Sequence, residues 1–148
     1  MNQEEYFEKA EKAYLGILNA QTACGYEMGA AMADPSGFDA EAFRSALRMG
    51  MRSISYYTDR ILSLECPPGM ERYCGPMRDY ARFMQAEISS RLTEVCAMLP
   101  LVDDQEKAGH VLTTFIEIMG DDRVEEHIAR LERTFPWMPR DGMGDGRP

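Results

Sequence analysis

Cysteine and histidine are the side chains here best suited to metal, haem or nucleophilic chemistry. The chain has Cys24, Cys66, Cys74, Cys96, His110 and His127. Covalent haem attachment needs Cys-x-x-Cys-His, and no two of these cysteines lie three apart. Cys66 and Cys74 straddle a Pro-Pro turn with no histidine nearby in sequence, so they do not read as a zinc site. A di-iron bundle needs Glu-x-x-His on two helices. His110 has Glu106 four residues back and His127 follows Glu126 directly, so neither histidine fits. A Cys–His nucleophile requires only closeness in space, but no motif supports one. The stretch Asp141-Gly-Met-Gly-Asp145-Gly has the Asp/Gly alternation of a calcium loop but lacks the bidentate Glu at its end. No strand precedes its glycines, so it is no phosphate cradle, and neither Gly-x-Ser-x-Gly nor a P-loop occurs. These readings assign no catalytic residue, no metal ligand and no cofactor, and enzymatic activity is not expected. Cys24 and Cys96 fall on apolar helical faces, where cysteine behaves as a small hydrophobe. Four reduced, structural thiols are expected, with a Cys66–Cys74 clip as the alternative.

Whatever these side chains do, helices must position them. In the first segment Ala10, Ala13, Ile17, Ala20, Cys24, Met28 and Ala31 alternate three- and four-residue spacings, which places them on one helical face. Helix 1 is predicted over Gln3–Ala33, ended by Pro35 and Gly37. Helix 2 opens at Asp39, a good N-cap, with Phe38 and Phe43 as a hydrophobic staple. Its seam is Phe43, Leu47, Gly50, Ile54, Tyr57, Ile61 and Leu64, and Cys66-Pro67-Pro68-Gly69 stops it. Helix 3 carries Met70, Tyr73, Met77, Tyr80, Met84, Ile88, Leu92, Val95 and Leu99 before Pro100. Pro76 lies in its first turns, so the helix either starts or kinks there. Asp103 with Glu106 reads as the next cap, and the seam of Val111, Phe115 and Ile118 falls out of phase after Gly120. A break there and a shorter helix from Asp122 to Thr134 follow.

Long helices joined by short loops must fold back as antiparallel neighbours. The expected fold is all-α, an up-down-up-down four-helix bundle whose fourth helix is broken near Gly120. It forms a single domain over residues 1–139, with a flexible Gly-rich tail over 140–148. At 148 residues the chain can bury about two thirds of its unfolded surface, so this core is expected to need neither a metal nor a disulfide to form.

Sixteen Lys+Arg against 25 Asp+Glu leave a net charge of −9. That balance makes nucleic acid an unlikely partner, since such binding rests on cations that neutralise phosphates. The bases between residues 34 and 100 are all Arg, and Arg44, Arg48 and Arg52 form a stripe on helix 2. The stripe is expected to flank the seam and pair with the acidic helices 1 and 4; otherwise it is an interaction surface. Twelve methionines suit a plastic core better than a metal or haem site. Gly25 and Gly29, four apart among small residues, let another backbone approach, within the bundle or across a dimer. Phe135-Pro-Trp137-Met-Pro139 is expected to plug one end of the bundle, or else to serve as a docking peptide. The N-terminus has neither a basic region nor an apolar run, so no leader is read and the cytoplasm is the expected compartment. No stretch is long and apolar enough to span a membrane.

With chemistry excluded and a rigid acidic surface remaining, a non-catalytic role is expected: an adaptor, inhibitor or regulatory subunit that works through protein–protein contact. The acidic surface suits a basic partner. Arg44, Arg48, Arg52, Tyr26, Tyr56 and Trp137 are the candidate contact residues, and a homodimer through the helices is expected. The alternative is a bundle that carries a small apolar molecule or haem, for which Tyr57, Tyr80 and Met84 are the candidate lining residues.

Overall fold

The computed structural model describes residues 1–34, 37 and 39–135, without the side chains of Ala31 and Met32. The staple at Phe38, Trp137 and the 140–148 tail therefore lie outside the described residues. Every described element is helical, and the helices form an antiparallel four-sided bundle.

Helix α1 (Gln3–Ala33) starts where the Asn2 side-chain oxygen accepts from the Glu5 N–H at 2.8 Å. It buries Ala10, Ala13, Ile17, Ala20 and Cys24 as the spacing predicts, and adds Tyr6 and Tyr14. Helix α2 (Ala40–Ser63) is capped by the Asp39 carboxylate, which accepts from Glu41 and Ala42 N–H at 3.0 and 3.1 Å. Its seam is buried except at Tyr57, and Thr58 is buried as well, with its hydroxyl donating to the Ile54 carbonyl at 2.7 Å.

The third side is one continuous rod: α3 (Glu71–Phe83), a π turn at Met84–Ile88, α4 (Ser89–Met98) and a 3₁₀ turn at Leu99–Leu101. The π turn has a cause in the sequence. Met84, Ile88 and Leu92 are all buried at successive four-residue steps. Eight residues at about 100° each overshoot two α-turns by about 80°. One wider turn absorbs that drift and keeps all three side chains inward. Pro76 neither starts nor ends the helix; α3 begins at Glu71, and Pro76 is buried within it.

The fourth side is α5 (Gln105–Met119) followed by α6 (Asp122–Thr134), broken at Gly120 as expected. The cap of α5 is Asp104 rather than Asp103: Asp104 accepts from the Lys107 N–H at 2.8 Å, while Asp103 pairs with Lys107 Nζ at 2.9 Å. At the break Asp121 caps α6 through the Arg123 N–H (2.8 Å) and binds Arg91 of α4 at 2.7 Å. Hydrogen bonds from the Arg123 side chain and backbone, with Arg91 adding to them, hold the Asp121 carboxyl well below the usual carboxylate range.

Two further expectations change. Cys66 and Cys74 form a disulfide instead of remaining free thiols, and only Cys24 and Cys96 are free. The turn brings their Cα atoms to 6.0 Å, inside the range that a disulfide spans. Gly69 at φ +81° and the Met70 N–H donating to the Pro67 carbonyl shape that turn. Among the described residues the arginine stripe shows no ion pair with the acidic helices. Among the described residues, Arg44 reaches only Glu41 of its own helix, at 3.9 Å, and neither Arg48 nor Arg52 has an ion pair. The rods are instead linked by Arg91–Asp121, Arg123–Glu87 (3.8 Å) and Arg130–Asp79 (2.9 Å), all between the third side and α6.

Close packing of α1 on α2 depends on Gly50, where a Cβ would sit 2.6 Å from the buried Cys24 sulfur. Replacing a helical Gly by Ala gains about 1 kcal/mol, whereas overpacking a core costs about 1–3 kcal/mol. Gly50→Ala is therefore expected to destabilise by about 1 kcal/mol, with the loss relieved when Cys24→Ala is added. Thermal melts of the single and double variants check this, and an unchanged single variant would show that the Cys24 side chain swings clear.

Candidate functional site

The largest described cleft, about 880 Å³, lies where α4 turns into α5. Its shape follows from the local sequence. Pro100 sits in the 3₁₀ turn that ends the rod, and the Val102 N–H donates to the Leu99 carbonyl at 3.1 Å. Leu99 is drawn into the core, which leaves Leu101 on the outside, 71% exposed. Met98, Pro100, Val102 and Val111 supply the rest of the apolar lining.

The rim carries Asp103, Asp104, Glu106, Lys107 and His110. Lys107 donates to Asp103, which lowers the Asp103 pKa and raises that of Lys107. That pair neutralises itself, so Asp104 and Glu106 set the sign of the rim, which is negative. A cleft of this kind, an apolar floor with a few fixed charges at its rim, has the make-up of a binding site. Among the described residues, no group of three or more Cys, His, Asp or Glu could hold a metal ion.

The residues singled out from sequence do not gather at one place. Tyr26 and Tyr56 are exposed, at 77% and 55%, and Arg48 and Arg52 are exposed on α2. Arg44 is half-buried, its Nε enclosed without an acceptor among the described residues. Arg44 and Arg48 lie near Cys96 of α4 and oppose the rise that burial gives its thiol pKa.

Tyr57, Tyr80 and Met84 do not share a cavity. Tyr80 and Met84 are wholly inside the core and line none of the described clefts. The Tyr80 ring packs 5.5 Å from that of Tyr14, and its hydroxyl has no partner among the described residues. Burial raises both phenol pKa values, that of Tyr14 to about 12. Tyr57 is half-buried and lies over Gly16 of α1. His127 rests on Phe83 with ring centroids 4.9 Å apart, and burial lowers its pKa.

Gly25 and Gly29 correct the expectation of a small-residue contact inside the bundle: a Cβ at either would meet nothing within 4 Å. The α4–α5 cleft is the feature that sequence reasoning missed. Its trace is Pro100-Leu101-Val102, an apolar run between a helix end and an acidic cap, which reads simply as a loop. No helix among the described residues is long and apolar enough to cross a membrane. The chain matches no protein-family model, no curated protein and no solved structure.

Proposed function

We propose that this protein is non-catalytic and works by protein–protein contact, as an adaptor, inhibitor or regulatory subunit, with the α4–α5 cleft as its docking surface. One observation carries the reading: Leu101 stands exposed among apolar side chains, inside a rim whose unpaired charges are acidic. The matching partner is an apolar segment flanked by Lys or Arg. Burying apolar side chains supplies most of the affinity, and the acidic rim speeds encounter and selects sign. A homodimer belongs to the same reading. The open face at Gly25 and Gly29, beside the exposed Tyr26, offers a second helix room to approach.

The cytoplasmic placement is also part of this reading. Disulfides persist in oxidising compartments, so the Cys66–Cys74 pair makes this placement testable: thiol trapping in living cells that finds the pair oxidised overturns it.

The test is a pull-down from the native host with wild type and Leu101→Asp side by side, analysed by mass spectrometry. A partner held by wild type in low salt, weakened in high salt and lost with Leu101→Asp supports the reading. Identical partners for both proteins would sink it. Light scattering tests the dimer. A mass near the 16.8 kDa of one chain excludes it, and a doubled mass that Gly25→Leu abolishes places the contact on α1.

A further inference from the structure

A separate cleft of about 260 Å³ opens between α1 and α2, near the opposite end of α1 from Gly25 and Gly29. Lys9 and Lys12, the only two bases among residues 1–33, stand on its α1 side. Tyr56 and Arg60, four apart and so on one face of α2, stand opposite them. Buried Ala13 and the Tyr57 ring form the floor, and Tyr57 fits there because Gly16 beneath it has no side chain.

Three facts make this cleft unusual in a chain of net charge −9. Among the described residues none of Lys9, Lys12 and Arg60 has an ion pair. The neighbouring Asp59 is turned towards the third side, where it accepts from Gln85. Glu8 also borders the cleft, leaving three cations against one carboxylate. Aromatic surface lines the same space: the Arg60 guanidinium lies 5.8 Å from the Tyr56 ring centre, and Tyr56 stands edge-on to Tyr57 at 5.0 Å.

We propose that this cleft binds a small aromatic phosphate monoester, its ring against Tyr56 and its phosphate shared by Lys9, Lys12 and Arg60. A phosphate monoester carries close to two negative charges at neutral pH, which matches the excess of cations better than a single carboxylate does. Arg can grip it with two parallel donors, and Lys serves as a point charge. Tyrosine offers a stacking face that tolerates many rings. The cleft is smaller than the roughly 300–1,000 Å³ of sites that engulf drug-sized ligands, so it takes a compact group. The cations are solvent-facing, so binding is weak and sensitive to salt.

The test is a titration with phenyl phosphate, followed by NMR of the tyrosine rings, with inorganic phosphate and phenol as separate probes. Saturable shifts at Tyr56 and Tyr57 are expected at millimolar phenyl phosphate, with weaker binding of either half alone. The double variant Lys9→Gln/Lys12→Gln, both on the surface and so expected to melt like wild type, should lose about tenfold in affinity. Tyr56→Leu should weaken phenyl phosphate but not inorganic phosphate. The absence of saturable shifts, or unchanged affinity in the double variant, overturns the proposal. Equal affinity for phenyl phosphate and inorganic phosphate overturns the role of the ring.

Discussion

Leu92→Asp is expected to abolish the cooperative melting transition, and Ile54→Asp to do the same. Leu92 and Ile54 are 0% and 1% exposed, one on α4 and one on α2, each mid-helix. An unpaired carboxylate in a dry core costs several kcal/mol. Losing the packing of a buried Leu or Ile adds about 2–5 kcal/mol. Together these rival the whole stability of a domain, about 5–15 kcal/mol. Leu101→Asp is the control: its side chain is mostly in solvent, and surface changes usually stay within about 0.5 kcal/mol. Circular dichroism melts of the three variants decide the point. If Leu92→Asp and Ile54→Asp melt like wild type, the inward faces are wrongly assigned; if Leu101→Asp also unfolds, its loss of partner binding says nothing about docking.

The bundle was legible in the sequence because helix burial repeats every three or four residues, and the seams of α1, α2 and the third side obey that period almost without exception. Local chemistry also marks the ends: Asp39 caps α2, and Gly120 marks the break. The π turn was visible only in hindsight. The four-plus-four step from Met84 to Leu92 stood in the seam, but an α-helical reading tolerates such a step without asking where the accumulated rotation goes. Long-range facts were not legible. Whether Arg44 meets an acid on another helix depends on rotation about the helix axis, which spacing alone does not fix. The surface sites depend on which side of a short turn a residue leaves by. Leu99 and Leu101 are both leucines of one 3₁₀ turn, yet one is core and the other exposed. The notch at Lys9 and Arg60 needed two helices set in register before it existed at all.

The disulfide closes the short turn between α2 and α3, joining residues eight apart in sequence. Denatured protein handled without reductant is expected to show two free thiols, Cys24 and Cys96. Closing a loop of this length restricts the unfolded chain, a stabilisation of about 2.5 kcal/mol in the entropic account. Native contacts hold the same hairpin independently: Arg78 donates to the Leu64 carbonyl at 2.9 Å, and Met70 is wholly buried beneath the turn. Reduction should therefore leave the α2–α3 connection folded and lower the melting temperature by about 5–10 °C. Cys66→Ser/Cys74→Ser should melt at the temperature of the reduced wild type and should not respond to reductant. Four free thiols in the untreated protein would refute the bond. A double variant that melts with the oxidised wild type would show that the turn, not the bond, sets the hairpin's stability.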